Sequence, residues 1–223
     1  MQTKSVDFYF DYGSPAAYLA YTQLPRLRAE TGAAVVMKPV LLGGIFQAVG
    51  NRSPASVPAK GTYLFKDLHR HARRYGVPFV MNPFFPINTI TLMRGDVGLA
   101  SRGDERLEKY RDAVFRAIWV EQQNMNDPAT VAAVLSLAGF DPASLMAMVN
   151  DPSVKEELKS LTQAAVERGL FGAPTFFVGD ELFWGQDRID FVREALASQG
   201  ETACAAGPFP RRIPQCVSTK VCQ

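Results

Sequence analysis

Ser14-Pro15-Ala16-Ala17 is the stretch on which the reading of this chain turns. It follows a short apolar run, Val6-Asp7-Phe8-Tyr9-Phe10, and a turn, Asp11-Tyr12-Gly13. The run reads as a strand over Ser5 to Phe10. Beyond it, Ala17, Ala20, Leu24 and Leu27 recur at helical spacing, so a helix is expected from Pro15 to about Thr31. A serine ahead of a proline is a good helix start. The hydroxyl accepts from a free N–H of the first turn, and proline at the first position loses no helical bond. A helix N-terminus also carries partial positive charge and favours an anion. Two readings of Ser14 follow: a plain helix cap, or a hydroxyl aimed at a bound thiol whose ionised form it would stabilise. Pro25, inside the same pattern, should kink the helix or break it in two.

Outward from this junction, Ala33 to Pro39 reads as a second strand, and a strand-helix-strand unit makes a parallel pair. From about 44 to 168 the pattern is helical, with no convincing strand. The expected helices are Gly44 to Val49, Lys60 to Tyr75, Asn88 to Ala100, Asp104 to Gln123, Asp127 to Leu137, Pro142 to Asn150 and Pro152 to Arg168. A proline-rich loop covers Val77 to Pro86. The chain then returns to strand. Thr175 to Val178, the turn Gly179-Asp180 and Glu181 to Trp184 form a hairpin. Asp187 is expected to cap a final helix, Arg188 to Ala197. The remainder shows no periodicity and is expected to be a disordered tail.

Composition narrows the function classes. Of 223 residues, 47% are hydrophobic and 21% charged, as in an ordinary soluble globular protein. The net charge is +2, and residues 201–223 alone account for that excess, leaving the body neutral. A neutral body argues against nucleic acid as a partner, since phosphate binding needs clustered basic residues. No run approaches the roughly 18 apolar residues of a membrane span. The start carries no basic segment followed by an apolar core, so a cytoplasmic location is expected. Cys204, Cys216 and Cys222 all lie near the end and fit no zinc pattern. His69 and His71 are two apart on an expected helix, so their side chains diverge. Both are expected at the surface, and no metal site is expected.

The order β-α-β, a helical block, then β-β-α resembles thioredoxin-like proteins. The expected class is α/β, a thioredoxin-like fold interrupted by an all-helical insertion domain of the DsbA/kappa type. Residues 1–43 and 169–198 would form the discontinuous thioredoxin-like domain, 44–168 the insertion, and 199–223 the tail. In that fold a Cys-Pro-x-Cys pair sits at the first strand-to-helix junction. Here Ser14 stands in the first cysteine position and Ala17 in the second. Serine cannot form a disulfide, so dithiol chemistry is excluded at this junction. A sulfur would have to come from a ligand, and glutathione is the thiol expected.

The same resemblance makes Pro174 cis and facing the junction, with Ala173 offering backbone N–H and C=O groups to an extended peptide. The alternative is an ordinary trans proline at a strand start. In Phe183-Trp184-Gly185-Gln186-Asp187-Arg188, Asp187 either only caps a helix or, with Gln186, also holds a ligand's ammonium and carboxylate. Gly50-Asn51-Arg52-Ser53-Pro54, followed by Lys60, reads by itself as a polar loop ahead of a helix.

Taken together, five segments are similar to the 2-hydroxychromene-2-carboxylate isomerase family, which shares its fold with kappa-class glutathione transferases and DsbA oxidoreductases. They are Asp-Tyr-Gly-Ser-Pro, Gly-Asn-Arg-Ser-Pro with Lys60-Gly61, Phe85-Pro86-Ile87-Asn88-Thr89, Phe-Gly-Ala-Pro-Thr-Phe and Trp-Gly-Gln-Asp-Arg, spread over about residues 5 to 197. The resemblance implies glutathione as cofactor, with Ser14 on its sulfur. It implies Asn51 and Lys60 facing glutathione or a substrate carboxylate, and Ala173 and Pro174 at the cysteinyl backbone. Gln186 and Asp187 would hold the γ-glutamyl end, and Phe85 to Asn88 would wall the substrate pocket. The implied activity interconverts 2-hydroxychromene-2-carboxylate and trans-o-hydroxybenzylidenepyruvate, or a related unsaturated keto acid, in aromatic-compound catabolism. A homodimer is implied as well. A kappa-like glutathione transferase is the alternative enzyme, and a non-catalytic thioredoxin-fold binding module is the alternative outside catalysis.

Overall fold

The computed structural model describes residues 4–199. The expected disordered tail, apart from residue 199, and the three cysteines lie outside the described residues. Four strands make one sheet in the order β2-β1-β3-β4, with β1 Ser5–Phe10, β2 Ala34–Pro39, β3 Thr175–Val178 and β4 Glu181–Trp184. β1 runs parallel to β2, with Phe8 opposite Met37, and antiparallel to β3, with Phe8 opposite Phe176. β3 and β4 form the expected hairpin, closed at Gly179, whose φ of +62° suits a glycine. This is the thioredoxin-like sheet anticipated from the sequence.

Strand alternation sends neighbouring residues of β1 to opposite faces. Val6, Phe8 and Phe10 enter one core with Phe176 and the helices α1 Pro15–Tyr21, α2 Leu24–Thr31 and α10 Ile189–Ser198. Tyr9 and Phe177 enter a smaller core on the other face, with Ile45 of α3 Leu42–Val49 and Ala165 of α9 Pro152–Glu167. The expected first helix is broken in two at Thr22 and Gln23. Pro25 sits at the second position of α2, where a helix asks for no N–H, so the break falls upstream of the proline.

Between β2 and β3 the chain is helical. After α3 come α4 Pro58–Tyr75, α5 Ile90–Ser101, α6 Leu107–Trp119, α7 Pro128–Leu137, α8 Pro142–Asn150 and then α9. Asp127, Asp141 and Asp151 cap α7, α8 and α9, each ahead of a proline. This helical block shares the main core with the sheet, and buried polar bonds fix it there. The Trp119 indole N–H donates to the Tyr12 carbonyl at 2.8 Å, and the Tyr12 hydroxyl donates to Asp96 at 2.6 Å. Arg111 grips the fully buried Asp96 through two bonds of 2.8 Å. Where the chain re-enters the sheet, Arg168 bonds Asp7, the Tyr9 hydroxyl and the Gly179 carbonyl. Its guanidinium lies 3.9 Å over the Phe177 ring.

Several local expectations are corrected, among them the helix expected over Asp104 to Gln123, of which α6 covers only Leu107–Trp119. His69 is exposed, but His71 is mostly covered. It shares a face of α4 with Leu68 and Tyr75, and its Nδ1 is buried without a protein partner among the described residues. Asp187 does not cap the last helix. Gln186–Arg188 form a 3-10 turn, α10 starts only at Ile189, and the Asp187 carboxylate pairs with Arg188 at 2.8 Å. α10 also runs one residue further than expected, through Ser198.

Candidate active site

Ser14 is 4% exposed and sits at the start of α1 in extended geometry. Its hydroxyl is committed twice. It accepts from the Ala17 N–H at 3.1 Å and donates to the Ala173 carbonyl at 2.9 Å. The strand-helix junction and the loop before β3, 159 residues apart in sequence, therefore meet at one hydroxyl. The Ala173-Pro174 bond is cis, as expected, and Phe85-Pro86 is a second cis bond that the sequence reading did not anticipate. Among the described residues the Ala173 N–H has no protein acceptor.

Ser14 and Ala173 lie in a cleft of about 500 Å³. Its walls are the 11–16 junction, the start of α3, the 51–54 loop, the 85–89 loop, the 172–174 loop and the 184–188 turn. Its polar lining includes Asn51, Arg52, Gln186, Asp187 and Arg188, and its apolar lining includes Phe46, Leu64, Phe65, Phe85, Ile87 and Trp184. A mostly apolar cleft with a few convergent polar groups is the usual form of a small-molecule site.

Each polar residue is held by a local reason. The Asn51 amide donates to the Phe171 carbonyl at 2.9 Å and accepts from the Arg52 N–H at 2.8 Å, which ties the 51–54 loop to the segment before β3. The Gln186 carbonyl accepts from the Tyr75 hydroxyl at 2.8 Å. Burial pushes the Tyr75 phenol up to about 12, so it stays protonated and keeps donating. The 186–188 turn is reached through Gly185 at φ +110°, where an added Cβ would fall 2.6 Å from the Asp187 carboxylate. Only glycine suits that position.

The structure brings together Ser14, Asn51, Ala173, Pro174, Gln186 and Asp187, six of the residues singled out in the sequence. It does not bring in Lys60 or Asn88. Lys60 is exposed and lines, with Ala59 and Tyr63, a groove that adjoins the cleft at Pro54 and Leu64. Its place on α4 turns it outward, whereas Arg52, quoted in the sequence within Gly50 to Pro54 but given no role of its own, lines the cleft. Asn88 is exposed too. Its side-chain carbonyl accepts from the Ile90 N–H at the start of α5, and Ile87 and Thr89 face the cleft in its stead.

Sequence reasoning also passed over Asp11. This carboxylate is 3% exposed and lines the cleft beside Ser14. It accepts from the Gly13 N–H at 2.8 Å, the Leu42 N–H at 2.8 Å and the Thr89 hydroxyl at 2.6 Å. Burial pushes its pKa up, and the three bonds hold it down. Read locally, Asp11 is a turn residue. No short-range signal shows that α3 and α5 both close on it.

The fold defines a thioredoxin-like protein that carries a serine, Ser14, at its first strand-to-helix junction. The family model of the DSBA-like thioredoxin domain matches residues 5–197. Within that class the chain belongs to the 2-hydroxychromene-2-carboxylate isomerase family. It is 33% identical to a 2-hydroxychromene-2-carboxylate isomerase of Sphingobium xenophagum, over 87% of this chain and 98% of that one. It is 34% identical to the Pseudomonas putida protein of the same name, over 86% and 93%. A glutathione S-transferase kappa 1 of Rattus norvegicus is 27% identical over 92% and 94%. A solved 2-hydroxychromene-2-carboxylate isomerase structure superposes with a TM-score of 0.77 at 32% identity, over 88% and 97%.

Proposed function

We propose that this protein is a glutathione-dependent isomerase of 2-hydroxychromene-2-carboxylate or a closely related unsaturated keto acid. The observation that carries the reading is the Ser14 hydroxyl, held at the start of α1 against the Ala173 carbonyl, in a cleft lined by both apolar and charged side chains. The donor set suits glutathione. Ala173 offers an N–H and a carbonyl to a cysteinyl backbone. Asp187 suits the ammonium of the γ-glutamyl end, with Gln186 beside it. Asn51 contributes from the facing loop, and Pro174 supports the sulfur's side of the cleft.

Bound glutathione would supply a thiolate that adds reversibly to the substrate's conjugated double bond, permitting rotation before it leaves again. The chain's own part is to hold and shield. Ser14 and the first-turn N–H groups of α1 favour the ionised sulfur. Phe46, Phe65, Phe85 and Ile87 offer apolar walls to a planar aromatic body and exclude water. Arg52 takes the substrate carboxylate, the role the resemblance implied for Lys60. A kappa-like transferase remains the second reading, favoured by the rat relative. It would use the same thiol site and differ in retaining the adduct.

Calorimetry with glutathione tests the site. The wild type should bind, and Asp187→Ala should bind about tenfold more weakly, the effect of one charge-assisted bond. Absence of binding to the wild type would refute the cofactor reading.

A further inference from the structure

We infer that the Ser14 hydroxyl is a two-position donor. Without ligand it is parked on the Ala173 carbonyl, and a thiol gains it only if the thiol's own peptide N–H takes that carbonyl over. This rests on the glutathione reading and adds a selection rule: the site activates sulfur carried on a peptide, and leaves simple thiols inactive.

The argument is one of counting donors. A serine hydroxyl has one proton to donate. Here it goes to the Ala173 carbonyl at 2.9 Å, while the lone-pair side of the same oxygen is occupied by the Ala17 N–H at 3.1 Å. Ser14 is 4% exposed, so this hydroxyl has little water to fall back on. To serve a sulfur, the proton must swing off Ala173. A thiolate rewards the swing, because a hydrogen bond to a charged acceptor is roughly twice as strong as a neutral one. A carbonyl left behind without a donor opposes it. A cysteinyl N–H resolves the conflict. It donates to the Ala173 carbonyl as the hydroxyl leaves, and the Ala173 N–H, which has no acceptor among the described residues, takes the ligand's carbonyl in the same extended pairing. Backbone pairing therefore favours release of the hydroxyl to the thiolate, which couples it to thiol ionisation. The thiol proton departs to solvent, and the rest is an exchange of hydrogen bonds.

The sequence provides a clean probe. Ala-Pro occurs once in the chain, at 173–174, so labelling alanine carbonyls with carbon-13 and proline nitrogens with nitrogen-15 isolates the Ala173 carbonyl by its one-bond coupling. In free protein its chemical shift should differ between wild type and Ser14→Ala. With saturating glutathione that difference should vanish, because the ligand's N–H then occupies the carbonyl in both. With glutathione methylated on the cysteinyl nitrogen, or with 2-mercaptoethanol, the difference should persist. Thiolate absorbance near 240 nm should then show glutathione ionising about one pH unit lower on the wild type than on Ser14→Ala, and the N-methyl analogue equally on both. A wild-type-to-variant difference that survives glutathione binding would overturn the inference while leaving the cofactor site standing. Equal lowering of the thiol pKa for glutathione and its N-methyl analogue would do the same. Failure of glutathione to bind would remove the cofactor reading and this inference together.

Discussion

The Thr89 hydroxyl donates to Asp11 at 2.6 Å across 78 residues of sequence, joining the entrance of α5 to the turn that precedes Ser14. Leu42, at the entrance of α3, closes on the other oxygen of the same carboxylate at 2.8 Å. Three walls of the cleft are thus referenced to one buried side chain. Burial is the largest influence on Asp11 and raises its pKa, and the Thr89 bond is the strongest of those that lower it. A carboxyl whose folded pKa lies above its unfolded one contributes stability that is fully present below the unfolded value and lost as pH rises through the folded value. Thr89→Val raises the folded value further. The variant should be about 2 kcal/mol less stable in urea at pH 7.5, with a smaller deficit near pH 4. A deficit independent of pH would contradict this.

Part of the acidic limb of stability lies in the helix caps of the helical block. Asp127, Asp141 and Asp151 are held below the usual carboxylate range by hydroxyl bonds from Thr130, Ser144 and Ser153, and then by first-turn N–H groups. Here the sign reverses: their contribution is present above the unfolded value and lost as pH falls through the lowered one. Asparagine caps as well as aspartate but does not titrate. The triple variant to Asn should melt close to wild type at pH 7 and lose less on acidification. Melting curves from pH 7 to 2 that run parallel in the two proteins would refute the assignment.

These bonds mark where sequence reading stops. The hairpin was legible because the turn at Gly179-Asp180 separates two short runs, and strand geometry is local. The helix starts were legible because Asp-Pro and Ser-Pro state their caps within four residues. Ser14 and Ala173 were found through the order of elements. Asp11 was given no role, because what makes it matter is contact with segments dozens of residues away, and Arg52 none, because its place in the cleft wall depends on how its loop is held in the fold. Lys60 lies outside the cleft lining because its direction depends on which face of α4 is buried, and Asp187 was read as a cap because the positive φ of Gly185 redirects the turn.

The buried pair Asp96–Arg111 makes a sharper test of the core. Arg111→Met leaves the fully buried Asp96 without its cation and should cost about 3–5 kcal/mol, measured by urea unfolding. Adding Asp96→Leu together with Tyr12→Phe, which leaves no buried hydroxyl without an acceptor, should recover much of the loss, since the expense lies in the uncompensated charge. A triple variant as unstable as the single one would contradict this.

Gly172 fixes the aromatic wall. An added Cβ there would fall 2.7 Å from the Trp184 indole nitrogen, so Gly172→Ala must displace that ring. Trp184 lines the cleft and is about half exposed, whereas Trp119 is buried. The variant should shift tryptophan emission and weaken glutathione binding about tenfold, as overpacking by one methyl does. Unchanged emission and affinity would mean the ring has room to spare.

The most direct test of the central claim is the ultraviolet spectrum of 2-hydroxychromene-2-carboxylate mixed with the purified protein, with and without glutathione. Conversion toward trans-o-hydroxybenzylidenepyruvate should require glutathione and should slow at least about tenfold in Ser14→Ala, in keeping with loss of one hydrogen bond to a charged sulfur. Conversion at the same rate without glutathione would contradict the account, as would a Ser14→Ala protein that turns over like the wild type.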